Sequence, residues 1–181
     1  MTPLSVPVLE TERLRLRGWM ADDVPAIASL YANEETARHI GGVQRAENAW
    51  RMVACFIGHW QMNGFGLWCV ERRDNRAVVG WTGLWFPAGW PEPELGYAFL
   101  AAHHGNGFAV EAATMALSHA YRVLGWKSAI SLIHKDNAAS QNVARKLHAI
   151  REKRDVQVLD HVCDIWRHQP AAAYLSRIGE G

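Results

Sequence analysis

The segment that most limits what this chain can fold into runs from residue 94 to residue 147. Residues 94–100 read as a strand, and Gly105-Asn106-Gly107 follows almost at once. Residues 105–124 then carry Ala109, Ala112, Ala116, Leu117, Ala120 and Leu124 at helical spacing. Residues 128–134 read as a second strand, and residues 138–147 as a second helix with Val143, Ala144 and Leu147 on one stripe. A strand–helix–strand–helix order of this length predicts a parallel pair joined by a crossover helix. Both loops that follow the strands then open at one edge of the sheet, where ligands bind in open α/β sheets.

The rest of the chain can be antiparallel. Residues 11–17 alternate Leu14 and Leu16 with Arg13, Arg15 and Arg17, which predicts a half-buried strand. Asp22 and Asp23 precede Val24, Ile27, Ala28 and Tyr31, a helix start with Pro25 in its first turn. Gly41-Gly42 breaks the chain before a helix over residues 46–60, whose predicted stripe is Trp50, Val53, Ala54, Ile57 and Gln61. Residues 66–71 and 77–86 form a hairpin about 72–76, and two prolines make 89–93 a loop. Residues 149–168 read as two strands, and 169–181 as a tail or short terminal helix. The order is β-α-α-β-β-β-α-β-α-β-β. It describes one α/β (α+β) domain over residues 1–168 with a mixed, mostly antiparallel sheet.

Composition excludes several classes. With 181 residues, 49% hydrophobic and 20% charged, the chain is globular rather than disordered. A net charge of +1 carries no footprint for nucleic acid or anionic lipid. No run approaches the roughly 18 apolar residues of a membrane span, and residues 1–17 hold no apolar stretch of the kind a secretory leader needs. Cys55, Cys69 and Cys163 are odd in number and widely spaced, which predicts a reduced, cytoplasmic protein with buried thiols. There is no H-E-x-x-H spacing, so no metal is expected. Residues 121–154 are locally basic, with Arg122, Lys127, Lys135, Arg145, Lys146, Arg151, Lys153 and Arg154 against Asp136 and Glu152. That excess is either a solvated surface or a site for a polyanionic small molecule.

Two short segments carry chemistry. Gly105-Asn106-Gly107-Phe108-Ala109 turns from a strand into a helix, and its N–H groups and the helix dipole suit a phosphate. It is not a P-loop, which needs Gly-Lys-Ser/Thr, nor a dinucleotide fingerprint, which needs a small residue where Val110 stands. Asp136-Asn137-Ala138-Ala139-Ser140 reads first as a helix cap. Its place at the end of the second parallel strand puts it at the same edge as the glycine loop.

These segments together resemble the GCN5-related N-acetyltransferase (GNAT) superfamily, in its RimJ/RimL-type branch of ribosomal-protein N-acetyltransferases. The match rests on Leu9-Glu10-Thr11-Glu12-Arg13-Leu14-Arg15-Leu16-Arg17, Glu94-Leu95-Gly96-Tyr97, the loop from Gly105 to Ala112, and Asp136-Asn137-Ala138-Ala139-Ser140. It spans residues 9–168. Ala102, His104 and Leu147-His148-Ala149 depart from the usual pattern. The resemblance implies a GNAT fold, with a splayed parallel pair flanked by about four helices. It implies acetyl-CoA as cosubstrate, bound along Phe99 and Leu100, by His104, Gly105, Asn106, Gly107, Phe108 and Ala109, and by Asn137 and Ser140. The pantetheine arm would run between strands 94–101 and 128–134, and the basic excess at 121–154 would suit the phosphates. Ser140 would protonate the departing thiolate. A backbone N–H around residues 96–99 would hold the oxyanion. Glu94 and Glu92 are the candidate bases, and Tyr97 a further acid or base.

Tryptophan supplies 9 of the 18 aromatic residues. Trp81 and Trp85 share a strand face, and Trp90 follows in the loop. They either fill the core or line the acceptor pocket. Trp50 and Trp60 lie on a helix near the expected acceptor side. No acidic cluster points to a polycationic acceptor. Two functions follow: transfer of acetyl from acetyl-CoA to a protein N-terminus or small primary amine, or acyl-CoA binding and sensing without turnover. The enzyme would act as a monomer or homodimer, with no membrane or nucleic-acid partner.

Overall fold

The computed structural model describes residues 5–179. Residues 1–4, part of the stretch expected to lack a leader, and residues 180–181, the end of the expected tail, lie outside the described residues. The elements are β1 (Leu9–Glu10), β2 (Leu14–Arg17), α1 (Val24–Ala32), α2 (Glu34–Ala37), α3 (Ala46–Asn63), β3 (Leu67–Arg72), β4 (Val78–Trp85), β5 (Glu94–Phe99), α4 (Phe108–Arg122), β6 (Ile130–Ile133), α5 (Ala138–Lys146), β7 (Ile150–Val158), β8 (His161–Arg167) and α6 (Ala171–Gly179). One eight-stranded sheet runs in the order β1-β2-β3-β4-β5-β6-β8-β7. Every neighbouring pair is antiparallel except β5–β6.

The expected order of elements holds, with local differences. The strand predicted over 11–17 is a tight hairpin, because the Thr11 hydroxyl accepts from Leu14 N (2.9 Å) and turns the chain back. The stripe predicted for α3 is rotated. Ala49, Val53, Phe56, His59 and Trp60 are buried, while Trp50 is 64% and Ile57 47% exposed. The larger Phe56 and Trp60 take the inner face, and Trp60 Nε1 donates to Leu67 O (2.9 Å). Trp60 therefore packs edge-on to Trp68 in the core beneath α4, away from the acceptor side. Residues 169–181 hold α6, whose buried Tyr174 donates to Thr114 O (2.9 Å) on α4.

The sheet separates two cores. Leu14, Leu16, Trp68, Val70, Leu84, Leu95 and Phe99 meet α4 on one side. Ile27, Leu30, Val53, Phe56 and Trp81 pack together on the other. A bulge at Val79, where Val70 opposes Gly80 and Glu71 opposes Val78, lets Val79 and Trp81 enter opposite cores. Arg17 ties the sheet to the start of α1, donating to both Asp23 carboxylate oxygens (2.8 Å each) and to Glu71 (2.7 Å). Among the described residues no helix is long and apolar enough to cross a membrane.

The parallel pair is barely a pair. Glu94 opposite Ile130 is the single register match between β5 and β6. Beyond it the buried Ser131 hydroxyl reaches across to Leu95 O (2.7 Å). That bond uses the hydroxyl's one proton, so His168 Nε2, 2.9 Å away, carries a proton and donates to Ser131. His168 is fully buried, its Nδ1 has no partner among the described residues, and burial lowers its pKa to about 4, which keeps it neutral. Ser131→Ala leaves the Leu95 carbonyl and the His168 N–H unpaired in the core. The expected cost is about 1–3 kcal/mol, read as a lower midpoint in urea with an unchanged slope.

Candidate active site

β4 and β5 pair with Trp81 opposite Ala98, Gly83 opposite Gly96 and Trp85 opposite Glu94. Leu95 and Phe99 enter the core beneath α4, so Glu94, Gly96 and Ala98 share the other face with Trp81 and Trp85. That face opens into a cleft of about 690 Å³. Tyr31, Phe56, Trp81, Trp85 and Trp90 line one part of it. Asn137, Ser140 and Tyr97 line the part next to the parting strands. Trp81 is both core and wall: it is 8% exposed, packs 6.0 Å from Phe56, and borders the cleft. Trp85 stacks on His59 (centroids 4.3 Å) and meets Phe56 edge-on at 5.9 Å. His59 is itself fixed, accepting at Nε2 from Phe86 N (3.1 Å), with Nδ1 2.9 Å from Phe65 O.

Glu94 sits at the base of the aromatic part. Its Oε2 accepts from Trp90 Nε1 (2.6 Å) and its Oε1 from Leu132 N (3.1 Å). Burial outweighs those two donors and pushes the carboxyl up to about 6. Glu92 is a different kind of group. Arg167 grips both of its oxygens (2.5 and 2.7 Å) and holds its pKa low, and it does not border the cleft. It is a surface ion pair and drops out as a base. Tyr97 donates its phenol proton to Ser140 O (3.1 Å). Burial, and then the Glu94 charge, raise its pKa, so it stays protonated and ties β5 to α5.

The β5 backbone divides by parity. Leu100 N donates to Val79 O (2.9 Å), so the even-numbered N–H groups of β5 face β4. Leu100 therefore has no free N–H for a ligand. The N–H groups of Tyr97 and Phe99 face the widening gap toward β6. Phe99 O is occupied by His104 Nε2 (2.8 Å), which ties down the end of the strand.

The glycine loop presents unpaired donors. Among the described residues the N–H groups of Gly105, Asn106, Gly107, Phe108 and Ala109 donate to no protein acceptor. Asn106 Nδ2 folds back to His103 O and His104 O (3.1 and 3.2 Å), leaving the backbone outward. Gly107 is the α4 N-cap at φ +79°, a left-handed conformation that side chains resist. This cradle fits a pyrophosphate. The α5 end offers a second donor set. Asn137 Oδ1 caps Ser140 N (3.0 Å), which leaves Nδ2 free, and the Ser140 hydroxyl has no hydrogen-bond partner among the described residues.

Two of the basic residues in 121–154 are engaged elsewhere. Arg145 and Arg151 lie against the Trp166 ring, and Arg151 pairs with Asp164 (3.3 Å). Basic side chains beside the loop include Arg13, 4.8 Å from the Phe108 ring, and Arg72, 5.9 Å from it. Arg13 also donates to Asn106 O (3.0 Å) and pairs with Glu111 (2.6 Å). Arg13, Tyr31, Phe56, His39, His134 and Cys163 are site residues that sequence reasoning missed. They come from elements distant in the chain, and no local pattern marks them.

Comparison with known proteins fits this geometry. The family model for the acetyltransferase (GNAT) domain matches residues 13–150. The chain is 31% identical over 144 residues to the uncharacterized N-acetyltransferase YoaA of Bacillus subtilis, covering 78% of this chain and 81% of that protein. An acetyltransferase of Agrobacterium tumefaciens superposes with a TM-score of 0.83 at 25% identity, over 91% of this chain and 95% of its own. The ribosomal L7/L12 α-N-protein acetyltransferase RimL, solved with coenzyme A, superposes at 0.74 with 20% identity, over 92% and 99%.

Gly107→Val tests the cradle. A β-branched side chain at φ +79° forces the loop out of its left-handed turn, and its Cβ meets Arg13 Nη2 at 3.5 Å. Calorimetric titration with acetyl-CoA should show affinity at least about tenfold weaker, with the circular dichroism spectrum unchanged.

Proposed function

The chain belongs to the GNAT acetyltransferase family, and from that premise we propose that it transfers acetyl from acetyl-CoA to a primary amine by direct attack in a ternary complex. The observation that carries the reading is the parting of β5 and β6 after one register pair, with free donors at the end of the gap. A slot between two strands offers backbone N–H and C=O groups to the amide-rich pantetheine arm. The loop from Gly105 to Ala109 supplies dipole and donors to the pyrophosphate. Asn137 Nδ2 is placed to donate to the arm, and the Tyr97 or Phe99 N–H to the thioester oxygen as it gains charge. The RimJ/RimL-type branch is the assignment within the family that the motifs support, and the three free thiols suit a cytoplasmic setting, although only Cys69 is buried as expected and Cys55 is exposed.

The remaining work is proton movement. The attacking nitrogen must be neutral when it meets the thioester carbon and must shed a proton afterwards. Glu94 is the acceptor for it, directly or through one water. It is the buried carboxylate on the acceptor face, and two N–H donors fix its orientation. A thiol pKa of about 8.5 makes the thiolate a fair leaving group, so modest acid help suffices, and the unpartnered Ser140 hydroxyl supplies it.

The pH dependence follows from Glu94. The base acts as the anion, so activity is present above about 6 and falls as pH drops through that value. Glu94→Gln keeps an acceptor for Leu132 N but removes the charge. It should lower kcat/KM by about 10²–10⁴ and abolish the acidic limb of the profile. Ser140→Ala should lower kcat and leave acetyl-CoA affinity within twofold, as single-turnover kinetics and titration would report. Coenzyme binding with no amine-dependent thiol release would instead favour a sensor.

A further inference from the structure

The acceptor half of the cleft is aromatic on several sides and carries almost no charge. Trp85 lies directly across the strand pair from Glu94, and Trp90 hydrogen-bonds that carboxylate. The Trp81 ring reaches over Gly96, where a Cβ would sit 3.4 Å from it. Phe56 closes the wall between Trp81 and Trp85. The acid groups bordering the whole cleft are Glu94 and Asp160, and Arg38 opposes them. Glu94 is 9% exposed and already holds two donors, whereas Asp160 stands exposed on the β7–β8 turn. A polyamine would bring further ammonium groups with one exposed carboxylate to receive them and an arginine nearby. Ion pairing of a polycation is therefore poorly served.

The rim narrows the choice again. His39, in the loop between α2 and α3, meets His134, in the loop between β6 and α5, with ring centroids 5.4 Å apart. Arg38 Nε donates to His39 Nε2 (3.0 Å) and backs that ring. Both residues border the cleft, so their contact joins the two loops at its rim and takes up room that a long acceptor would need. A compact acceptor avoids them.

We propose that the acceptor is a small primary monoamine with a flat aromatic body, its ring held among Trp81, Trp85 and Trp90 and its nitrogen at Glu94. Indole faces stack on a planar ring, and they also stabilise the ammonium form as it enters, before it loses its first proton to water. This rests on the acetyl-transfer reading of the same site. Transfer forms the amide C–N bond and breaks the thioester C–S bond. The proton shed by the nitrogen after attack passes to Glu94, the thiolate takes the Ser140 proton, and water carries the Glu94 proton back to Ser140.

The test measures acetyl-CoA-dependent thiol release with tryptamine, 2-phenylethylamine, propylamine, spermidine and a serine-initiated tripeptide amide. The expected result is a kcat/KM for tryptamine and 2-phenylethylamine at least tenfold above the other three. Trp85→Ala should raise the KM for tryptamine tenfold or more while acetyl-CoA affinity stays within twofold, and Trp85→Phe should restore most of it. Retained acetyl-CoA binding shows that each variant is folded. Preference for spermidine, propylamine or the tripeptide would overturn the substrate class and leave acetyl transfer standing. No release with any acceptor, despite coenzyme binding, would overturn both.

Discussion

The bond from the Ser131 hydroxyl to the Leu95 carbonyl lets β5 and β6 part without leaving a bare backbone behind. An unpaired buried carbonyl costs about as much as a lost hydrogen bond, so strands that separate inside a domain need substitutes for the ladder. Two side chains serve. Ser131 answers Leu95 O, and the Glu94 carboxylate answers Leu132 N. His168, held neutral by burial, fixes the serine in turn. Past Leu132, among the described residues, no hydrogen bond joins β6 to β5, and Tyr97 spans to α5 instead. The opening thus begins at a polar joint of defined geometry, and Glu94 belongs to that joint as well as to the acceptor face.

The same pairing divides labour along β5. Leu95 and Phe99 enter the core under α4, while Glu94 and Ala98 look toward the aromatic cleft. Backbone donors alternate in step with the side chains, so the N–H groups of Tyr97 and Phe99 open to the gap. A shift of one residue in the β4–β5 register would exchange the two sets. It would bury the carboxylate under α4 and turn Phe99 into the cleft. The buried Trp81 opposite Ala98 and the bulge at Val79 oppose that slip, which makes core packing the guardian of the active-site register.

Much of this was legible in the chain itself, for physical reasons. Strand alternation, the Gly105–Gly107 turn and the Asn137 cap are local signals, and they placed the parallel unit, the cradle and the α5 cap. Trp81, Trp85 and Glu94 could be placed on strands because a strand has only two faces. What was not legible is whatever depends on distant pairing. Glu92 and Glu94 look alike in sequence, yet Arg167, 75 residues on, claims the first and leaves the second buried. Nothing local marks Arg13, 93 residues from Asn106, as a side chain that reaches the loop. The α3 stripe was misread because Trp50 and Ile57 are apolar but outward-facing.

The abundance of tryptophan resolves on the indole N–H. Trp19 and Trp60 both donate to Leu67 O, at 2.7 and 2.9 Å, and Trp68 donates to Pro7 O at 2.8 Å. A carbonyl has two lone pairs, so one oxygen can pin two rings and fix the start of β3 against α3. Those three spend their polar atom on backbone, as a packing residue should. Trp81 and Trp90 do not. Trp90 gives its proton to the one buried carboxylate of the acceptor face, and Trp81, beside the buried Tyr31 phenol, donates to no backbone carbonyl among the described residues. Trp85 spends its ring face on His59, whose own nitrogens are fixed by Phe65 and Phe86. An indole held rigid by a locked imidazole keeps one orientation at little entropic cost when a ring binds beside it. Trp19, Trp60 and Trp68 thus fasten the fold through backbone carbonyls, whereas Trp90 fastens the carboxylate that faces the cleft.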